Sequence, residues 1–259
     1  MHNIKEIAQF TQQLATEAGE LLLKAYQEQS GANNAKRTSP KEMKLVEDAT
    51  IDEWLVQKIL ETYPTHSILA EESGEHKKGT DVLWIIDPID GSVNFSVQNP
   101  FVAISLAVVI NGELTIGVIE APVLQEQFIA VKGKGAKLNK KEIHVSQTKK
   151  LSDAYLVSCE GGAKDRTAVL ERIIVNYFDQ VKDVRKLGSA ALECAWVASG
   201  RADAYVTIEI DPWDVAAGIL IVQEAGGKVT TFDNEAWEPK RADIICSNGL
   251  LHDELMSLL

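Results

Sequence analysis

Residues 82–95 read VLWIIDPIDGSVNF. The first five, Val82 to Ile86, are apolar and read as a buried strand. That strand meets two carboxylates three residues apart, Asp87 and Asp90, and then Gly91 and Ser92. Carboxylates beside a buried strand are costly unless something compensates them. Asp-Pro and Asp-Gly are also good turn formers. The stretch is therefore either a turn or half of a cation site, and the rest of the chain has to decide.

Three further acidic spots resemble it. LVEDATIDEW places Asp48 near a helix start, SILAEESGE places Glu71 and Glu72 at a strand end, and IDPWDVAAG places Asp211 and Asp214 at another helix start. Singly, each has an ordinary explanation. Acids in a first helical turn meet the dipole, and paired charges at a strand exit are commonly solvated. Together they are harder to dismiss, because most of them abut apolar segments. In layered folds ligands gather at strand ends, and converging carboxylates suit hard cations such as Mg²⁺.

The surrounding chain reads as two halves. Apolar residues at helical spacing predict helices over 4–28 and about 46–62. Between them, 30–42 is polar and reads as a loop. Short strands follow at 67–70 and 82–86, then an antiparallel meander from 101 to 131 and a basic hairpin at 133–146. Beyond about 150 the pattern alternates: strands at 154–158, 181–185, 202–207, 228–232 and 243–246, with helices at about 163–178, 189–199, 213–225 and 250–259. We therefore read an α+β half over 1–150 and an α/β half over 151–259.

Composition narrows the function. The 259 residues carry 26 basic and 38 acidic side chains, a net charge of −12, which argues against nucleic acid as a main partner. No apolar run is long enough to span a bilayer, and the N-terminus lacks a signal-peptide core. Cys159, Cys194 and Cys246 fit no metal spacing and read as reduced thiols. A cytoplasmic protein is expected. There is no P-loop, no HExxH and no G-x-S-x-G elbow, and GKG at 133–135 lacks a dinucleotide fingerprint. Asp87 and Asp90 are three apart, where an aspartyl-nucleophile DxD motif needs two.

EES at 71–73, WIIDPIDGSVNF at 84–95 and PWDVAAG at 212–218, with KGKGAKLN at 132–139 and VASGRADAY at 197–205, together resemble the inositol monophosphatase family. This is the lithium-sensitive, Mg²⁺-dependent phosphatase superfamily that includes fructose-1,6-bisphosphatases. The resemblance spans nearly the whole chain and implies an αβαβα layered sandwich. It also implies a phosphate-ester substrate, two or three Mg²⁺ ions and a homodimer.

Residue by residue, the resemblance implies that Glu71, Asp87 and the Ile89 carbonyl hold one ion. Asp87, Asp90 and Asp214 hold a second, with Glu72 orienting Glu71. Gly91 and Ser92 offer backbone N–H groups to phosphate. Glu71, and Ser92 paired with Asp48, activate the attacking water. Gly188, Ser189 and Ala190 match the substrate-facing loop, and Asp90 and Asp214 meet substrate hydroxyls. Thr207 falls where many inositol phosphatases carry a Glu that grips the ring. The neutral, shorter side chain leaves room for fructose bisphosphate, other sugar or polyol phosphates, or NADP. Lys36 or Arg37 would approach the phosphate if the loop reaches it. A non-catalytic, partner-binding scaffold is the alternative from another class, and it has no physical need for five converging acids.

Overall fold

A computed structural model describes residues 2–28, 46–159, 161, 167, 171 and 175–259, with the backbone of 36–37 and 43–44. The predicted loop side chains at 30–42, Lys36 and Arg37 among them, and most of the helix predicted at 163–178 lie outside the described residues.

Two helices open the chain, α1 (Ile4–Glu28) and α2 (Val46–Thr62), with two short strands, β1 (Lys36–Arg37) and β2 (Met43–Lys44), between them. The first large sheet follows: β3 (Ser67–Ala70), β4 (Gly74–His76), β5 (Val82–Asp90), β6 (Ala103–Ile110), β7 (Glu113–Ala121), β8 (Glu126–Val131), β9 (Ala136–Leu138) and β10 (Lys141–Ile143). Its order is β10-β9-β8-β7-β6-β5-β3-β4, antiparallel except for the β3–β5 pair. A short helix, α3 (Ser92–Ser96), separates β5 from β6. The β6–β7 hairpin turns on Asn111 (φ 53°) and Gly112 (φ 78°). Left-handed conformations at both central residues match the strand twist.

The second sheet contains β11 (Tyr155–Cys159), β12 (Asp183–Arg185), β13 (Ala204–Ile210), β14 (Lys228–Thr231) and β15 (Ala242–Ser247) in the order β12-β11-β13-β15-β14. Helices α4 (Ala190–Ala198) and α5 (Pro212–Glu224) lie between the sheets, and α6 (His252–Met256) closes the chain. Strand alternation divides the core accordingly. On β6, Ile104, Leu106 and Val108 pack with α1 and α2, while Ala103, Ala107 and Val109 pack with α4 and α5. A third cluster, including Leu156, Val206, Ile245 and Leu255, covers the outer face of the second sheet. The layers run α, β, α, β, α, the layered class that the sequence predicts.

Small residues set the middle layer's thickness. A Cβ on Gly117 of β7 would lie 2.7 Å from the Ala217 carbonyl oxygen of α5, so the helix rests directly on the strand backbone. The GKG turn at 133–135 closes the far end of the same helix. Amides of Gly133, Lys134 and Gly135 donate to the Glu224 carboxylate at 2.8, 3.0 and 2.8 Å.

Several predicted boundaries shift. The strand at 82–86 continues to Asp90, the strand at 202–207 becomes Ala204–Ile210, and the last helix shortens to His252–Met256. In the first two cases ladder pairing with a neighbour carries the strand past its apolar run.

Candidate metal and phosphate centre

β5 keeps its pairing with β6 through the acidic stretch, but not its register. Asp87 faces Ser105 and Asp90 faces Ala103, so three steps on β5 match two on β6. This is a β-bulge, and it tolerates Pro88, which has no N–H for the ladder. In a regular strand, residues three apart point to opposite faces. The extra residue brings Asp87 and Asp90 to the same face, toward the middle layer. The Asp87 carboxylate also accepts the Ile89 amide at 2.9 Å, fixing the local turn.

Asp214 arrives from the second half of the chain. Pro212 begins α5, where its fixed φ suits the first turn. Ser105 Oγ donates to the Trp213 carbonyl at 3.1 Å, tying that turn to β6. Just ahead, Asp211 accepts a two-pronged ion pair from Arg241 at 2.9 and 2.5 Å. The outcome is a cluster in which Asp87, Asp90 and Asp214 each place one carboxylate oxygen within 4.8 Å of the others. Glu71 joins it from the end of β3, hydrogen-bonded to Asp87 by its side chain and to Ile86 by its amide, at 3.2 Å.

Electrostatics follow from burial. Asp87 and Asp90 are 1% and 7% exposed. Burial, then the charges of Glu71, Asp90 and Asp214, push the Asp87 carboxyl well above the ordinary range. Asp214 is raised well above it by burial and by Glu71, Asp90 and Asp211. Burial raises Asp90 only to about 6, because donors hold its charge: Ser189 Oγ, and the amides of Ala190 and Ala191 at 3.1 and 2.8 Å. These donors form the first turn of α4, so Asp90 sits on the positive end of that helix.

The remaining predicted residues surround this cluster or leave it. Gly91 has φ 94°, and a Cβ there would lie 2.7 Å from the Phe101 carbonyl oxygen; only glycine fits both conditions. Ser92 is partly buried, and its hydroxyl donates to the Ile89 carbonyl at 3.1 Å. Asp48 is 3% exposed at the start of α2. Gly188, Ser189 and Ala190 do border the site, but the donors of Ser189 and Ala190 are spent on Asp90. Thr207 departs from expectation: it has no exposed surface, and its hydroxyl lies 3.3 Å from Cys159 Sγ. A bulge between Thr207 and Ile210, with Glu209 at φ 51°, reshapes the strand at that point. The structure gives a Thr207 contact to a sugar ring no support. Cys159, Cys194 and Cys246 are all unbridged.

Sequence reading passes over three residues of the site. Asn94 Nδ2 donates to the carbonyls of Phe101, Leu187 and Gly188 at 2.9, 2.8 and 3.2 Å, joining α3 to the loop before α4. Ser105 anchors α5. Glu193, fully buried, accepts the Leu187 amide at 2.7 Å. Its only signal is a lone acid in the apolar run AALECAWVA.

A family model described as the inositol monophosphatase family matches residues 3–259. The chain belongs to the inositol monophosphatase family. Among curated relatives, the fructose-1,6-bisphosphatase/inositol-1-monophosphatase of Thermotoga maritima is 41% identical over 227 residues, 88% of this chain and 86% of the relative. A protein named Nus factor SuhB from Escherichia coli is 38% identical over 221 residues, covering 84% and 82%. Among solved structures, a T. maritima IMPase superposes with a TM-score of 0.87 at 38% identity, covering 98% of this chain and 96% of that one. In a family of phosphatases, the acid cluster is the candidate chemical centre. Its ligand atoms are all carboxylate oxygens, and burial and mutual repulsion make charge on Asp87 and Asp214 costly, so the residues fit a hard divalent ion. No helix among the described residues is long and apolar enough to cross a membrane.

Proposed function

We propose that the chain is a Mg²⁺-dependent phosphomonoesterase acting on inositol phosphate or related sugar and polyol phosphates. The observation that carries this reading is the convergence of Asp87, Asp90 and Asp214, from two distant segments, within 4.8 Å. Glu71, Asp87 and the Ile89 carbonyl would hold one ion, and Asp87, Asp90 and Asp214 a second. Bound there, Mg²⁺ supplies Lewis-acid polarisation of the phosphate and of an attacking water.

The chain's own groups do the rest. Gly91, lacking a side chain, lets phosphate approach the backbone, and the amides of Gly91 and Ser92 face its oxygens. Glu71, beside Asp87, and Ser92 with Asp48 orient the water and take its proton. Glu72 steadies Glu71. Gly188, Ser189 and Ala190 border the alcohol side, where Asp90 and Asp214 meet substrate hydroxyls. Fructose 1,6-bisphosphate and the NADP 2′-phosphate remain alternatives for the substrate. The T. maritima relative, whose name joins bisphosphatase and monophosphatase, supports the first of these. In this reading the protein is a cytoplasmic homodimer.

The relative named Nus factor SuhB supports a second reading, a role carried by binding protein partners. The two separate by experiment. An Asp90→Asn variant should abolish phosphate release and leave a scaffold role intact; unchanged hydrolysis would refute the mechanism.

A further inference from the structure

We propose that Glu193 is a positioning residue for Asp90, acting through the turn Leu187–Ser189 that leads into Asp90's hydrogen-bond donors. The inference rests on the reading of Asp90 as a Mg²⁺ ligand. Glu193 lies in the first turns of α4, whose N-cap is Ser189. An acid near a helix start ordinarily turns back to the N-cap amide. Glu193 reaches further, and its Oε1 accepts the amides of Leu187 and Gly188 at 2.7 and 3.2 Å.

The same two residues are gripped from the other side, since Asn94 Nδ2 donates to both their carbonyls. Leu187 and Gly188 are thus held through both ends of their backbone, by one side chain from each half of the chain. Gly188 has φ 83°, a left-handed conformation that glycine adopts without strain. The next residues are Asp90's donors: Ser189 Oγ, and the Ala190 and Ala191 amides. The orientation of the Asp90 carboxylate is therefore set by a turn whose amides end on Glu193.

The environment selects a neutral acceptor for this task. Glu193 has no exposed surface, and its Oε2 has no hydrogen-bond partner. Burial pushes its carboxyl up to about 8, with the Asp90 charge adding to the rise and Lys186 opposing it. Cys159 and Tyr205, from β11 and β13, lie within its field and are themselves neutral at ordinary pH. A neutral carboxyl keeps the carbonyl-type oxygen that two amides need, without adding a charge behind the acid cluster.

The test is Mg²⁺ binding to the full-length, EDTA-stripped protein by titration calorimetry, with MgCl₂ as the only ligand. Removal of a group that hydrogen-bonds a metal ligand typically costs about 10–100-fold in affinity; Glu193 acts one step further out, so a loss at the low end, about 10-fold, is expected for Glu193→Leu. Glu193→Gln, which keeps the acceptor oxygen, should match the wild type. A role in folding alone would lower the metal-free melting temperature and leave affinity unchanged. The proposal is overturned if folded Glu193→Leu binds Mg²⁺ as tightly as wild type, or if Glu193→Gln weakens it equally. Should Glu193→Leu not fold, Glu193→Asp, too short to span both amides, carries the same expected loss and the same refutation. A wild type that binds no Mg²⁺ overturns the metal reading itself; a binding wild type with unaffected variants overturns only the role of Glu193.

Discussion

Asp87 and Asp90 stand three residues apart on one strand, yet both carboxylates turn to the same side of the sheet. The cause is one extra residue on β5 between the pairs Asp87–Ser105 and Asp90–Ala103. Without it, one acid would be buried among the apolar side chains under α1 and α2. With it, both meet Asp214 across the join between the two halves of the chain. A bulge beside a functional site, re-aiming a side chain, is a known use of this irregularity.

Replacing Asp90 by Asn tests what that convergence is for. The amide keeps the volume and can still accept from Ser189, so circular dichroism should be unchanged. Losing one anionic oxygen should cut Mg²⁺-dependent phosphate release by at least about 100-fold, more than the loss of an outer partner. Colorimetric phosphate detection at saturating Mg²⁺ reads this directly, and activity near wild type would show that Asp90 ligates nothing.

Gly91→Ala should disturb the fold as well as the site. An L-residue at φ 94° is strained, and its Cβ would press on the Phe101 carbonyl at 2.7 Å. Strain of this kind costs about 1–3 kcal/mol, measured as a lower urea midpoint in EDTA. An unchanged midpoint would mean that the turn relaxes freely.

Metal-free stability should fall as pH rises. The Glu193 carboxyl stands near 8 in the fold against 4.5 for the ordinary group. Between these values the folded chain holds a proton that the unfolded chain has released, and stability therefore declines with pH. Asp87 and Asp90 act in the same sense. Urea unfolding in EDTA should give a smaller free energy at pH 8 than at pH 6. Glu193→Gln should flatten that slope, and an equally steep slope in the variant would contradict the assignment.

Thr207→Val should leave the ranking of substrates untouched. The residue has no exposed surface, and its hydroxyl points at Cys159. Initial rates on inositol 1-phosphate and fructose 1,6-bisphosphate decide the matter. A changed ratio would place Thr207 in the substrate's reach after all.

Much of the site is legible in the sequence. The acids announce themselves because Asp87 and Asp90 follow VLWII, and Glu71 follows SILA, where a charge has no ordinary reason to be. Helix boundaries at 4–28 and 46–62 follow from apolar spacing and agree with α1 and α2. What was hidden depends on partners far away in sequence. The bulge exists only against β6, and Ser105 acts only because the Trp213 carbonyl lies above it. Glu193 reads as an odd acid in a greasy helix until the Leu187 turn folds over it. The burial of Thr207 depends on β11 and on the bulge that follows it, neither of which its position in the sequence reveals.

The central claim is tested most directly by phosphate release from inositol 1-phosphate, fructose 1,6-bisphosphate, glycerol 2-phosphate, NADP and 3′-phosphoadenosine 5′-phosphate, each with Mg²⁺ and with EDTA. The account predicts release that requires Mg²⁺, is abolished by EDTA and favours the polyol and sugar phosphates. A folded, Mg²⁺-binding protein that releases phosphate from none of them would contradict it.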